Sequence, residues 1–351
     1  MSENITTTRT MTAWRQSRYG GPEIVSAERV DVPAPGDHDV LLRVRATSLN
    51  AADHHLLRGE PLLLRLGLGL RRPRNATRGI DVAATVVAVG ARVTQFARGD
   101  EVMGELPGGG ALAEFAVSPA ARLVARPAGL DAVTAAALPL AGGTAWQALE
   151  AGAVADGQRV LVIGASGGVG TYTVQLAVLR GAEVWALTGA RSEQLVAELG
   201  ARRTFDYRVT DVDALPAATF DAVLDIAGTA PLRTLKALLR PGGTLVVVAG
   251  DGGRMLGPLG RMLRAVFVSI GGAGRRIRPL AAVAKPEVTR ELASLAAAGR
   301  LRAVIERTFT LSEAREALAH IDAGRTVGKV VVDVDPFADQ GRTGRRSTPE
   351  F

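Results

Sequence analysis

Glycines and an arginine at two defined spacings are the residues of this 351-residue chain whose types point most directly to chemistry. Between Arg159 and Arg180 the sequence reads RVLVIGASGGVGTYTVQLAVLR. Its glycines crowd between four apolar residues, Val160 to Ile163, and a helical run carrying Val174, Leu176, Ala177 and Leu179. A buried strand, a glycine turn and a helix in that order make an anion site. The turn lets backbone come close to the anion, and the helix N-terminus directs its free amides at it. The pattern is A-x-G-x-x-G, with Ala165 standing where the dinucleotide fingerprint has its first glycine. Gly167 admits a pyrophosphate to the backbone, and Gly170 lets helix and strand pack closely. Ala165, Ser166, Gly167, Gly168, Val169 and Gly170 are therefore the candidate pyrophosphate-binding residues.

The second spacing concerns the ribose. An NAD site commonly offers Asp or Glu about 20 residues beyond the turn, to bind the 2′-hydroxyl. Here Leu187, Thr188, Gly189, Ala190 and Arg191 follow, and the first carboxylate is Glu193. A guanidinium at Arg191 can meet a 2′-phosphate bidentately, beside the hydroxyls of Thr188 and Tyr207; the alternative is an arginine solvated at a helix start. The expected cofactor is NADPH rather than NADH.

Composition narrows the remaining chemistry. There are no cysteines, which removes disulfides, thiolate nucleophiles and every Cys-based zinc site. The formal charge is +7, with arginine clusters at Arg71, Arg72 and Arg74, at Arg275, Arg276 and Arg278, and at Arg342, Arg345 and Arg346. That balance favours anionic ligands, but aromatics make up only 4% of residues, too few for the stacking platforms of single-strand binders. No dedicated nucleic-acid role is expected. The first ten residues are polar and Thr-rich, without the apolar core of a signal peptide. No apolar run reaches the length of about 18 residues that a membrane span needs. A soluble cytoplasmic protein is expected.

These groups need elements to position them. Residues 1–10 and 336–351 read as unstructured ends. From Trp14 to Val124 short β segments are broken by Gly and Pro, among them Val40 to Val44, Val82 to Val89, Glu114 to Val117 and Leu123 to Val124, which reads as a β-rich barrel-like domain. Leu56 to Arg74, LLRGEPLLLRLGLGLRRPR, reads as a short helix and loop over a cleft. A membrane-surface anchor is the alternative for this stretch, but Pro61, Gly67 and Gly69 break its helical period, so no membrane partner is expected. Helices at Ala132 to Leu138 and Thr144 to Ala151 lead into the glycine turn. Strands at Glu183 to Leu187, Thr204 to Tyr207, Ala222 to Ile226 and Leu245 to Ala249 then alternate with helices at Ser192 to Leu199 and Pro231 to Leu239. Such alternation predicts a doubly wound parallel sheet with ligands at the carboxyl ends of its strands. Helices at Val288 to Ala298 and Ser312 to Ala323 and a strand at Val330 to Val334 close the chain.

With YGGPE at Tyr19 to Glu23, VLLRVRATSLNAAD at Val40 to Asp53, GIDVAATVVAVG at Gly79 to Gly90, FARGDEVMG at Phe96 to Gly104, LPLAGGTAWQAL at Leu138 to Leu149 and GRTVGKVVV at Gly324 to Val332, the chain resembles the medium-chain dehydrogenase/reductase superfamily. Within it, the likeness is to the zinc-free quinone oxidoreductase and enoyl reductase branch. The resemblance implies an α/β architecture: a GroES-like catalytic domain over 11–131, completed by 272–335, with a Rossmann domain over 132–271 and the active cleft between them. Zinc-dependent relatives place a Cys near Asn50, a His-Glu pair near Ile80 and Asp81, and a Cys between Pro139 and Gly143. Asn50 and Ile80 cannot serve as ligands, so no zinc is expected. His54 and His55 are adjacent, and chain neighbours rarely face one ion.

In the resembling branch Asn50 sits beside the nicotinamide and the substrate, where its amide can donate to a carbonyl or hold the ribose; otherwise it is a turn residue capped on its own backbone. Asp53 is expected to orient that loop by accepting backbone amides. Tyr207 resembles a position touching the adenosine phosphate. A homodimer through sheet edges is also implied, with Ala265 to Ile270, AVFVSI, as the candidate edge or else a core segment. The expected activity is zinc-independent hydride transfer from NADPH to a small-molecule quinone or α,β-unsaturated carbonyl, with Asn50 and the Leu62 to Leu70 wall beside the nicotinamide. The alternatives are a non-catalytic nucleotide-binding, RNA-contacting or redox-sensing protein on the same fold, and an alcohol dehydrogenase, which the missing ligands disfavour.

Overall fold

Sheet order follows from where the chain is apolar on both faces and where on one. In the computed structural model, which describes residues 9–248, 260, 261, 265 and 274–335, the N-terminal part contains β1 (Thr10–Arg15), β2 (Ser26–Asp31), β3 (Asp39–Leu49), α1 (Ala51–Arg58), α2 (Arg65–Leu68), β4 (Asp81–Val89), β5 (Glu101–Glu105), β6 (Phe115–Pro119) and β7 (Leu123–Ala125). Two helices, α3 (Ala132–Ala137) and α4 (Pro139–Ala151), bridge to the glycine-turn unit. There β8 (Arg159–Ile163), α5 (Gly168–Leu179), β9 (Glu183–Thr188), α6 (Glu193–Glu198), β10 (Arg203–Asp206), β11 (Phe220–Asp225), α7 (Leu232–Leu238), β12 (Leu239–Val247) and β13 (Arg276–Pro279) follow. The chain returns through α8 (Pro286–Ala297), β14 (Ile305–Thr310), α9 (Ala314–Asp322) and β15 (Lys329–Asp333).

The central sheet runs β10-β9-β8-β11-β12-β13, and every pairing in it is parallel. Its inner strands β8, β9 and β11 are apolar on both faces, as a sheet covered by helices on both sides requires. Alternate residues of β8 divide accordingly. Val160 and Val162 pack with Tyr172, Val174 and Leu176 of α5, whereas Leu161 and Ile163 pack with Trp185, Phe220 and Leu235. The strand order reverses between β8 and β11, and the crevice at that switch point is where such sheets bind ligands. The predicted doubly wound α/β sheet is present.

The second sheet runs β14-β15-β3-β4-β5-β7, with β6 also on β3. Register shifts in β3 between Leu41 and Leu42 and between Val44 and Ala46 bend that strand, so that its first half pairs with β6 and its last residues pair with β15. Chain ends separated by most of the sequence thereby meet at Leu49 and Val330.

Two boundaries differ from expectation. Thr10 already pairs with Asp31 in β1, inside the segment expected to be unstructured. The sixth strand of the parallel sheet is β13, beyond the expected domain edge at 271 and paired with β12 through Thr244 and Arg276. Residues 1–8 and 336–351, including Arg342, Arg345 and Arg346, lie outside the described residues. So does the AVFVSI run apart from the buried Ala265.

Candidate functional site

The glycine turn leaves β8 at Gly164, whose φ of 83° only glycine adopts without strain. Gly164, rather than Ala165, makes the tight turn; Ala165 is fully buried, and the working spacing is Gly164-x-x-Gly167-x-x-Gly170. Ala165 keeps the first fingerprint position by spacing, and Gly164 before it supplies the dihedral that the turn needs. Gly170 has the role expected of it: a Cβ there would lie 2.1 Å from the Gly164 carbonyl oxygen. Gly167 caps α5 in extended conformation, and a Cβ on Gly168 would press within 3.1 Å of the Lys329 side chain and 3.2 Å of the Gly328 oxygen.

At the carboxyl ends of β8, β9 and β11 opens a cavity of about 730 Å³, lined by Gly164, Ser166, Thr188, Gly189, Tyr207, Ala227 and Pro231 among others. Thr188 is buried, and its hydroxyl has no hydrogen-bond partner among the described residues. A buried, unpartnered hydroxyl on a residue that lines a cavity at the end of the second strand is a ready ligand-binding group. Tyr207 stands exposed on the rim with the Arg208 guanidinium 4.7 Å from its ring centre. Sequence reasoning missed Arg208. Its nearest signal was the Tyr-Arg pair at the strand end, and its guanidinium would meet a Cβ placed on Gly189 at 3.2 Å. Arg191, exposed, is outside the cavity lining and donates from Nη2 to the Arg325 carbonyl.

A second cavity of about 320 Å³ lies beyond the turn, between Gly167, Gly168 and Val169 on one side and Asn50, Ala51, Thr326 and Lys329 on the other. Gly324 lines both cavities, so they adjoin there. The two sides are tied together where Gly328 N donates to the Ser166 carbonyl at 2.8 Å and Gln175 exchanges two hydrogen bonds with the Arg302 backbone.

Asn50 is buried at the N-terminus of α1, where the Asp53 carboxylate accepts its amide at 3.0 Å and the Gly79 amide at 2.8 Å, the loop-orienting role expected of Asp53. Burial, opposed by those two hydrogen bonds, pushes Asp53 up to about 6. The Asn50 side chain is fully engaged. Its Nδ2 donates to Asp81 Oδ2 at 2.9 Å and to the Ser48 carbonyl at 3.3 Å, and its Oδ1 accepts from Lys329 Nζ. The expectation of a free amide donor for substrate is corrected: both N–H groups are already used.

Asp81, fully buried, also accepts the Leu140 amide at 2.9 Å in the first turn of α4 and lies 3.5 Å from Lys329 Nζ. Burial raises the Asp81 carboxyl, with Lys329 as the main opposing influence; burial lowers the Lys329 ammonium, with Asp81 opposing. A pair this deep is tolerable only because each member is hydrogen-bonded as well as charged. Lys329 was read only as part of the GRTVGKVVV landmark, and nothing local marked it as a cleft residue.

The other sequence candidates lie apart. Among the described residues no group of three or more His, Asp or Glu can hold a metal ion. His54 Nδ1 lies 2.8 Å from Asp322, which Arg58 grips bidentately, and so joins α1 to α9. Leu62 to Leu70 does not line the small cavity; Leu62, Leu63, Leu64, Leu66 and Leu70 face solvent.

Comparison with known proteins agrees with this geometry. The Alcohol dehydrogenase GroES-like domain family matches residues 36–128, and the Zinc-binding dehydrogenase family matches residues 199–332. The chain is similar to a chloroplast envelope quinone oxidoreductase homolog of Arabidopsis thaliana, at 36% identity over 92% of this chain and 98% of that protein. It is also similar to the mitochondrial NAD(P)H oxidoreductase RTN4IP1 of Mus musculus, at 32% identity over 92% of this chain and 89% of that one. The solved quinone oxidoreductase of Coxiella burnetii superposes with a TM-score of 0.81 at 28% identity, covering 93% of this chain and all of that one. The glycine cleft, the two sheets and these relatives together show that the chain belongs to the medium-chain dehydrogenase/reductase superfamily, in its quinone oxidoreductase branch, and is a nicotinamide-dependent oxidoreductase.

Proposed function

We propose that the protein reduces a quinone or an α,β-unsaturated carbonyl with NADPH. The observation that carries this reading is the floor of the small cavity: a buried Lys329 held on Asn50 and Asp81, directly across from the glycine turn, under walls supplied by Leu49, Ala51, Leu140, Val169 and Ile226. Apolar walls suit a flat conjugated acceptor. The residues of the large cavity fit an adenosine phosphate, with the turn amides for the pyrophosphate and the orphan Thr188 hydroxyl and Tyr207 at the ribose end, where Arg208, outside the lining, lies against the Tyr207 ring. No carboxylate stands between Leu187 and Arg191, where a 2′-hydroxyl would be bound, which favours a 2′-phosphate. Arg191 retains Nε and Nη1 for that phosphate while Nη2 holds Arg325.

When bound, the nicotinamide supplies the hydride. The chain stabilises the charge that then appears on the acceptor oxygen. Because the Asn50 amide is committed, that task falls to the positive field of Lys329 and the Thr326 hydroxyl on the same wall. Asp81 fixes the ammonium, and water protonates the enolate. A quinone or enone needs only this much help, whereas an unactivated alcohol needs a stronger Lewis acid. A homodimer belongs to the same proposal, supported by the short edge that β13 presents among the described residues; a sedimentation mass of one chain at micromolar concentration would exclude it.

The test is consumption of NADPH against a panel of quinones and 2-enones, with and without chelator, and of NADP⁺ with ethanol. Reduction of at least one conjugated acceptor, unaffected by chelator, with no measurable ethanol oxidation, is the expected result. Efficient alcohol oxidation, or stoichiometric zinc lost together with activity, refutes the reading.

A further inference from the structure

The segment between α1 and β4 is built inside out. Its leucines are exposed, with Leu66 at 69% and Leu70 at 66%, and no other stretch of the described residues clusters more than two exposed large apolar side chains. The arginine inside this run is turned inward. Arg65 donates from Nε to the Gly59 carbonyl at 2.9 Å and from Nη2 to the Arg58 carbonyl at 3.1 Å, and its guanidinium lies 4.4 Å from the Tyr19 ring centre. The Tyr19 hydroxyl donates to the Gly69 carbonyl at 2.7 Å, and the Arg74 amide donates to the Leu68 carbonyl at 2.7 Å. Gly69 has φ 115°, and a Cβ there would strike the Arg72 carbonyl oxygen at 2.2 Å, so the turn is specified by its glycine. A loop this thoroughly tied to its neighbours presents its leucines as a fixed surface, which is a sign of an interaction site on a water-soluble fold.

Directly beside the leucines stand Arg71, Arg72 and Arg74, none of them ion-paired among the described residues. They line a cavity of about 640 Å³ together with Arg15, and the carboxylate in that lining, Glu28, is taken up by Arg15 at 2.9 Å. Apolar side chains flanked by unneutralised guanidiniums match one surface in both halves: acyl chains at the boundary and phosphate at the headgroup.

We propose that residues 62–74 dock the protein on an anionic phospholipid bilayer, with the leucines seated in the acyl boundary and Arg71, Arg72 and Arg74 on headgroup phosphates. The proposed contact is with the bilayer surface; among the described residues no helix is long and apolar enough to cross a membrane. The broken helical period that argued against a membrane partner is no obstacle, because a hydrogen-bonded turn presents the same side chains. α1 connects this surface to the small cavity, which Ala51 and Ala52 line; its eight residues span about 12 Å. A lipophilic acceptor dissolved in the bilayer therefore has a short route to the cleft.

The experiment is co-sedimentation of the full chain with phosphatidylcholine vesicles and with vesicles containing added phosphatidylglycerol, at low and high salt. Comparison proteins are Leu63→Ser/Leu66→Ser and Arg71→Glu/Arg72→Glu, both exposed substitutions whose melting temperatures should match the parent. Binding is expected only with phosphatidylglycerol. It should weaken about tenfold or more in the leucine variant, by about fivefold for each arginine reversed, and in high salt. Absence of binding to either vesicle overturns the proposal, as does equal binding to both. Self-association abolished by Leu63→Ser/Leu66→Ser, without vesicle binding, overturns it in favour of a second copy of this chain.

Discussion

Replacing Lys329 by Met removes the ammonium facing Asp81 and tests the electrostatics of the cleft floor. Asp81 is fully buried and Lys329 is 2% exposed, with Nζ 3.5 Å from Oδ2. In the variant the carboxylate keeps the Asn50 and Leu140 hydrogen bonds but has no opposing charge beside it. Deleting one partner of a buried pair costs about 3 to 5 kcal/mol. The carboxyl can escape part of that cost by taking up a proton. Burial already holds it above the usual carboxylate range, and loss of its main opposing influence raises it further. A carboxyl that binds its proton more tightly when folded contributes stability below the unfolded value and loses it as the pH rises through the folded one. The deficit of Lys329→Met should therefore be small at about pH 5 and approach its full size at about pH 8. Urea unfolding midpoints at the two pH values measure this. Asp81→Asn/Lys329→Met, which leaves no buried charge in the pair, should recover most of the loss. A deficit under about 1 kcal/mol at the higher pH, or a double variant no better than the single one, would refute the reasoning. Turnover on the best acceptor should fall at least about tenfold in both variants, on the scale of removing one group that stabilises a developing oxyanion.

Gly170→Ala places a methyl 2.1 Å from the Gly164 carbonyl oxygen, so the β8 to α5 turn must open; a loss of about 1–3 kcal/mol and of measurable dinucleotide binding is expected by melting and cofactor titration. Arg191→Ala should raise the Michaelis constant for NADPH and leave that for NADH little changed, and Arg208→Ala should do the same; equal effects on both cofactors would reject the ribose-end assignment. Glu105 is pushed up to about 7 by burial and then by Asp81, its direct cross-strand neighbour. Stability should decline as the pH rises from the ordinary carboxylate range through about 7, and Glu105→Gln should remove about 1–3 kcal/mol of that decline, allowing for its partial exposure. An unchanged pH profile would show that Glu105 titrates normally.

How much of this was readable in advance depended on the range of the interaction. The β8, turn and α5 unit is encoded within about two dozen residues by a run of apolar residues, a glycine cluster and a helical period, so it and the doubly wound sheet were legible from local sequence. Only the fold shows that Gly164 rather than Ala165 makes the turn, because φ is a property of the folded backbone. Arg191 and Arg208 are both proposed for the ribose end, and where each guanidinium lies depends on rotamers and on a loop from the C-terminal return. The exposure of the leucines after α1 was likewise invisible, since an apolar run looks the same whether it covers a core or faces water.

The deepest dependence is at the cleft floor. Lys329 meets Asn50 across a sequence separation of 279 residues, and Asp81 arrives on a third segment. The chain itself specifies the residue types and the tendency of each segment to be a strand, because those are local steric and solvation preferences. That three polar groups converge at the cleft floor is decided by sheet register, where β15 pairs with β3 at Val330 and Leu49 and β4 pairs with β3 at Asp81 and Ser48. One residue of slip would turn Lys329 and Asp81 to opposite faces, so the site exists only once the bent β3 has chosen its partners.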